Sequence, residues 1–248
     1  MEFSKIYNEN CLDTMSRMSE GSIDLLITSP PYDNLRKYKG YSFDFESIAK
    51  EIFRIIKLVG VVVWIVGDAT LNGSESGTGF KQALYFKELG FNLHDTMIYE
   101  KINYIPLTHK RYEQAFEYMF VFSKGKIKTF NPMMVQSKGA GNTVSRVKKV
   151  NEQGMRDTTS TIKSKKIKKN IWAYSIGSNN DKTTHPAPFP LQLAVDHINS
   201  WSNVGDVVYD PMAGSGTVAK AAILTGRECV LSEMCEEYCL EIEKRIKI

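Results

Sequence analysis

The sequence predicts an open α/β sheet wound on both faces, and three observations lead there. Short apolar runs alternate with helical patterns of period near 3.6 from Ile23 to Ser123, the rhythm of strand and helix in such sheets. The same alternation resumes after Asn180. Within that second half, Val207-Val-Tyr-Asp-Pro-Met-Ala-Gly-Ser-Gly-Thr217 runs from a strand through a glycine turn into a helix. That is the local pattern of a nucleotide-binding α/β domain.

Each element follows from its residues. Ile23–Thr28 is a continuous apolar run stopped by Ser29-Pro30-Pro31, as for a strand buried on both faces. Asp44 to Leu58 is predicted as a helix, with Ile48, Ile52, Ile55 and Ile56 on one face, Asp44 or Ser47 as cap and Gly60 at the exit. Val61–Val66 is a second buried strand. Lys81–Leu89 is an amphipathic helix ending at Gly90, followed by strands at Phe91–Tyr99 and Phe116–Phe122. From Ser123 to about Asn180 the pattern dissolves into polar, lysine-rich sequence, too long for a plain connection and so either a functional insert or a disordered one. Helices at Pro188–Trp201, Thr217–Thr225 and Cys235–Ile246 and strands at Asp206–Asp210 and Glu228–Glu233 complete the reading. The predicted organisation is a first half over 1–123, a basic insert over 124–182 and a second half over 183–248.

The charge is divided along the chain. The 248 residues carry 32 basic and 28 acidic side chains, a net of +4. Lys124–Lys182 holds 14 Lys/Arg against Glu152, Asp157 and Asp181, a local net of +11, which leaves −7 for the rest. A basic block in an acidic body points to a polyanion met on one face, since each neutralised phosphate releases counterions. The run Lys163-Ser-Lys-Lys-Ile-Lys-Lys169 also has the composition of a solvated loop. Lys148, Lys149, Lys165, Lys166, Lys168 and Lys169 are the candidate contacts in the block.

Some classes are excluded. The longest apolar stretch, Ile55–Gly67, is interrupted by Lys57 and falls short of the ~20 residues that span a bilayer. The start Met-Glu-Phe-Ser-Lys lacks a basic region followed by an apolar run, so a cytoplasmic location is expected. Cys11, Cys229, Cys235 and Cys239 include no Cys-x2-Cys pair, and no His completes a ligand set beside Cys235 and Cys239. Buried thiols are expected, with no metal and no disulfide framework.

Two motifs carry the chemistry. In the glycine turn, Gly214, Gly216 and Ala219 match Gly-x-Gly-x-x-Gly/Ala, and Glu233 follows Asp210 by 23 residues, where a carboxylate can accept ribose hydroxyls. A nicotinamide cofactor fits this much equally well. The second motif, Thr28-Ser-Pro-Pro-Tyr32, closes a strand at the edge where ligands of open sheets gather. A nucleobase amino group is a poor nucleophile because its lone pair is delocalised into the ring. Acceptors on its two hydrogens draw the nitrogen towards tetrahedral geometry and aim the lone pair at an electrophile. Ser29 Oγ and the Pro30 carbonyl suit that role, proline fixes the carbonyl direction, and Tyr32 offers a face for an extruded base.

Thr28-Ser-Pro-Pro-Tyr32, Thr184-His-Pro-Ala-Pro-Phe-Pro190 and Asp210-Pro-Met-Ala-Gly-Ser-Gly-Thr217, in that order, resemble the β-class of S-adenosylmethionine-dependent DNA amino-methyltransferases. The resemblance covers the chain except about 138–180, where the family's target-recognition regions vary. It implies a Rossmann-like, doubly wound sheet of seven strands with an antiparallel final hairpin and a circularly permuted motif order, and S-adenosylmethionine rather than NAD. Carried over by position, Ser29, Pro30, Pro31 and Tyr32 form the catalytic loop. Asn10 and Cys11 lie near the adenine, although an acidic residue is common where Asn10 stands. Thr184, His185 and Pro186 precede the helix on the methionine side. Asp210, Met212, Gly214, Gly216 and Thr217 form the cofactor turn, with Met212 where Phe is usual, and Glu233 is the ribose-binding carboxylate. Arg111, beside Tyr112 between two strands, touches phosphate or supports the flipped base, or else belongs to a solvated hairpin turn.

The resemblance implies methyl transfer to the exocyclic nitrogen of a base flipped from double-stranded DNA, with N4 of cytosine slightly favoured over N6 of adenine because Ser29 opens the loop. A homodimer and a cognate restriction enzyme are further partners it leaves open. Two rivals stand beside this reading: a nucleic-acid-binding protein that has kept the fold without catalysis, and a methyltransferase of RNA or protein.

Overall fold

The apolar runs become the central strands of one mixed sheet. The computed structural model describes residues 5–31, 43–104, 110–149, 155–175 and 190–246. In chain order the elements of the first half are β1 (Lys5–Tyr7), α1 (Cys11–Ser16), β2 (Ile23–Thr28), α2 (Phe45–Ile55), β3 (Ile56–Val66), the short pair β4 (Thr70–Leu71) and β5 (Ser74–Glu75), α3 (Thr78–Glu88), β6 (Asn92–Lys101) and β7 (Phe116–Ser123). The basic segment follows with β8 (Met134–Gln136), β9 (Thr143–Lys149), β10 (Met155–Thr161) and β11 (Lys165–Ile167). Then come β12 (Ile171–Tyr174), α4 (Leu191–Trp201), β13 (Val207–Asp210), α5 (Thr217–Leu224), β14 (Glu228–Ser232) and α6 (Glu236–Ile246).

Among the described residues eight strands make the sheet, in the order β1-β14-β13-β2-β3-β7-β6-β12. Neighbours from β1 to β3 are parallel, and β7 lies antiparallel between β3 and β6. This is the doubly wound sheet with an antiparallel hairpin, extended by one strand. The eighth is β12, which adds parallel to β6. The strands of the second half, β13 and β14, lie between β1 and β2 of the first, which is the permuted order in spatial form.

Side chains alternate across the sheet, so both faces must be covered. Val62, Trp64 and Val66 of β3 enter a core with Ile48, Ile52 and Phe86 from α2 and α3. Trp64 Nε1 donates to Gln82 Oε1 at 2.8 Å, so its one polar atom is paired where it is buried. On the other side α4 packs against β2 and α5, and α5 against α6. There the fully buried His197 accepts from Trp201 Nε1 through Nδ1 at 3.3 Å, and its Nε2 faces Met119 Sδ at 3.2 Å. Burial pushes its pKa down to about 3, so the ring is neutral.

The helix predicted to Leu58 stops three residues earlier. Ile56 is extended and buried, pairing with Ile23, with a register shift before Leu25. Gly60 therefore lies inside the strand rather than at a helix exit. A Cβ there would sit 2.9 Å from Ile56 Cγ2 and 3.0 Å from the Asp24 carbonyl, so the close strand approach needs glycine. Arg54 at the end of α2 donates to the Met15 and Met18 carbonyls at 2.6 and 2.7 Å, closing the C-terminal end of α1 while it pairs with Glu51.

The chain divides into two compact units, one of residues 1–131 with 170–248 and the other Pro132–Lys169. The second is built from the ladders β8/β11 and β9/β10. Among the described residues no helix is long and apolar enough to cross a membrane, and no group of three or more His, Cys, Asp or Glu could hold a metal ion.

Candidate active site

Parallel pairing of β2, β13 and β14 delivers their C-terminal ends to one edge of the sheet. The loop Ser29-Pro30-Pro31 leaves β2 there, with Pro30 buried and Ser29 and Pro31 half-buried. The link between this loop and the glycine turn is Thr28. Its Oγ1 donates to Asp210 Oδ1 at 2.8 Å in the buried interior, joining the end of β2 to the end of β13. Asp210 also accepts from the Met212 N–H at 3.1 Å, which fixes the first residues of the turn. Burial pushes the Asp210 carboxyl up to about 7, and the negative charge of Glu233 adds to the effect.

Glu233, next after β14, holds the turn from the other side. One oxygen accepts from the Gly214 N–H and the other from the Cys235 N–H, each at 2.8 Å. Burial raises its pKa in spite of these bonds. An ionised carboxylate has about four lone-pair sites, so acceptor capacity remains for hydroxyl donors. The turn is closed by Ala213 N–H to Ser232 O at 3.0 Å and Gly216 N–H to Ala213 O at 2.8 Å. Gly214 and Gly216 have φ of 52° and 75°. At Gly216 a Cβ would fall 2.8 Å from Ile242 Cγ1, so glycine is needed for both conformation and space. Thr217 opens α5 and is buried, and Met212 packs against the core beneath the turn.

The N-terminal residues reach the same edge through β1. Its neighbour β14 is parallel to it, and the Glu233 N–H donates to the Tyr7 carbonyl at 3.1 Å. Asn10 caps α1, its Oδ1 accepting from the Leu12 N–H at 2.9 Å, and Cys11 is buried beside it. Burial pushes the Cys11 thiol up to about 12, with the Asp210 charge a lesser cause. Three residues missed in the sequence also belong here. Asn8 Nδ2 donates to the carbonyls of Glu233 and Met234 at 2.9 and 3.1 Å, and so holds the backbone that carries the carboxylate. Tyr209 Oη and Ser232 Oγ meet at 2.8 Å between β13 and β14. The only sequence signal for Asn8 is its place two residues before a helix cap.

Tyr32, Thr184, His185 and Pro186 lie outside the described residues. Arg111 is engaged with the β4–β5 turn, donating to the Gly73 carbonyl and lying 3.9 Å from Glu75, beside a fully exposed Tyr112. Lys148 and Lys149 lie in β9, Lys165 and Lys166 in β11, and Lys168 and Lys169 directly after it. Cys235 and Cys239, considered together for a metal, are a half-buried and a buried thiol.

A family model described as DNA methylase matches residues 23–244. The chain is 50% identical over 236 residues to the orphan methyltransferase M.BamHII of Bacillus amyloliquefaciens, covering 91% of this chain and 89% of that protein. Among solved structures, the cytosine-N4-specific PvuII DNA methyltransferase superposes with a TM-score of 0.75 at 22% identity, over 99% of this chain and 86% of that one. The M1.HpyAVI–SAM complex gives 0.67 at 20% identity, over 98% and 99%.

Proposed function

Since this chain belongs to the DNA methylase family of N6 and N4 amino-methyltransferases and is an S-adenosylmethionine-dependent DNA methyltransferase, we propose that its acceptor is the amino group of a base flipped out of duplex DNA. N4 of cytosine is put before N6 of adenine, because a neutral Ser29 opens the loop where Asp or Asn resembles the adenine enzymes. The observation that carries the reading is the Thr28–Asp210 hydrogen bond, which fastens the Ser29-Pro30-Pro31 loop to the glycine turn. Flipping is required because the amino group is paired inside the stack.

The residues present fit the cofactor. A buried and a half-buried carboxylate, Asp210 and Glu233, both of raised proton affinity, stand at a glycine turn and suit a cation that carries ribose hydroxyls. Glu233 is assigned to the ribose, Gly214 and Gly216 to close backbone approach, and Met212, Asn10 and Cys11 to the adenine side. When bound, S-adenosylmethionine supplies an electrophilic methyl group. Ser29 Oγ and the Pro30 carbonyl accept from the two amino hydrogens and turn the nitrogen lone pair out of the ring. Ser29 acts as an acceptor and forms no bond to the base. The protein is assigned to the cytoplasm, and a homodimer and a cognate restriction enzyme stay as candidate partners.

The raised Asp210 pKa gives a pH dependence. A positively charged ligand at this edge favours the ionised carboxylate, and below about 7 the free protein holds it protonated. Cofactor affinity should therefore rise with pH up to about 7 and level off above, with proton release on binding below it. Calorimetry in buffers of different ionisation enthalpy measures both, and Asp210→Asn should flatten the profile. An affinity independent of pH in the native protein would contradict the assignment of Asp210.

The acceptor class is tested with a tritiated methyl donor offered duplex DNA, RNA and protein in parallel at stated salt. Label is expected in duplex DNA. Label in RNA or protein alone, or in nothing despite measurable cofactor binding, would move the protein to one of the rival classes.

A further inference from the structure

We propose that Thr28 is a positioning residue that couples occupancy of the glycine turn to the aim of the Ser29 loop, a reading that rests on the function proposed above. The sheet changes direction between β2 and β13. β13 leads through α5 to β14 on one side, and β2 leads through α2 to β3 on the other. In open α/β sheets such a switch point opens the crevice in which ligands bind, beyond the carboxyl ends of the strands. The backbone pairing agrees. β2 stays paired to β3 as far as Thr28 opposite Trp64, and β13 to β14 as far as Asp210 opposite Leu231. Between β2 and β13 themselves the pairing ends earlier, at Leu26 opposite Tyr209. At the other end of the two strands Asp24 Oδ2 accepts from the Val207 N–H at 3.0 Å. At the crevice the tie is the side-chain bond from Thr28 Oγ1 to Asp210 Oδ1 at 2.8 Å.

A hydroxyl at this position needs a reason. Thr28 is fully buried at the end of a largely apolar strand, and a buried hydroxyl costs stability unless it is paired. Valine has the same branched shape and no polar atom to desolvate, so packing alone does not call for threonine. Pairing to β3 already anchors the strand through its backbone. The hydroxyl therefore serves the bond across the crevice.

That bond and the one from the Met212 N–H fall on the same oxygen of Asp210. Met212 belongs to the glycine turn, and Ser29 follows Thr28 directly. One atom is thus shared by the two halves of the site. A ligand that shifts the turn rotates the carboxylate, and the carboxylate carries the Thr28 hydroxyl with it. Branching at Cβ leaves Thr28 few χ1 positions, so the shift passes to the backbone that presents Ser29. Linkage makes the effect reciprocal, and the factor by which the cofactor tightens DNA binding is the factor by which DNA tightens cofactor binding.

The test uses the full-length protein, a duplex containing a site it methylates with 2-aminopurine beside the target base, and S-adenosylhomocysteine, which has no methyl to transfer. With the native protein, S-adenosylhomocysteine should tighten duplex binding about tenfold and itself bind about tenfold tighter when the duplex is present. The 2-aminopurine emission, which reports unstacking, should rise with it. Thr28→Val should bring the coupling factor to about one. It should also slow single-turnover methylation by about ten- to hundredfold, the range that one hydrogen bond to a charged group spans. Its affinity for S-adenosylhomocysteine without DNA should stay nearly unchanged, because the bonds of Met212, Gly214 and Gly216 remain. Thr28→Ser keeps the hydroxyl and should restore most of the coupling and the rate. A coupling factor of about one in the native protein would overturn the role of Thr28 without any variant. So would native coupling in Thr28→Val, or a cofactor affinity that falls as far as its turnover. A native protein that methylates no duplex sequence would overturn the function on which that role rests.

Discussion

Replacing Ser29 with alanine is expected to lower turnover by about 10²- to 10³-fold, the loss typical of removing one preorganised hydrogen-bonding group from a transition state. Affinity for S-adenosylmethionine should stay nearly unchanged. The separation follows from the anchoring of the loop. Thr28 is fully buried and bonded to Asp210, and Pro30 is buried, so the backbone on either side of Ser29 is fixed by groups the substitution leaves alone. Removing a half-buried hydroxyl also opens no large cavity. Single-turnover rates on duplex DNA, beside calorimetric cofactor titration, measure the two quantities. An equal loss of both would mean that the loop is structural.

Glu233→Ala should do the reverse, raising the cofactor Kd by about 10²-fold or more while turnover at saturating cofactor falls much less. The carboxylate accepts two backbone N–H bonds at 2.8 Å, and hydrogen bonds to a charged group contribute about 1.5–3 kcal/mol each. Removing it leaves the Gly214 and Cys235 amides without this partner and frees the turn, in addition to losing the ribose acceptor. Glu233→Gln keeps one carbonyl oxygen and should recover part of the affinity. Calorimetry decides, and a Kd equal to that of the native protein would remove Glu233 from the cofactor site.

The parts of this architecture that are legible in the sequence are those buried on two faces. Ile23–Thr28 is a strand with the predicted bounds, because nothing but a central strand accommodates such a run between helices. The glycine turn is legible because positive φ at Gly214 and Gly216 restricts the residue type. β1 is not, since a three-residue edge strand is too short to show alternation. Nor are the ladders β8/β11 and β9/β10, because exposed residues fall on both sides of them among the described side chains and leave no hydrophobic period to mark strands that the backbone pairs register by register. The exit of α2 misleads because Gly60, which resembles a helix stop, serves a close crossing inside β3. Thr28 is visible as part of a motif, but its partner lies 182 residues away, a pairing that local pattern cannot supply.

The most direct test of the central claim, that the Ser29 loop and the glycine turn form one site for methylating a base amino group, is nucleoside mass spectrometry. Purified protein, unmethylated duplex DNA and S-adenosylmethionine are incubated and the DNA is digested to nucleosides. The account predicts N4-methylcytosine, with N6-methyladenine as the other product of the same chemistry. Methylation at a ring carbon, or no methylated nucleoside from several DNA sources with cofactor shown to bind, would contradict it.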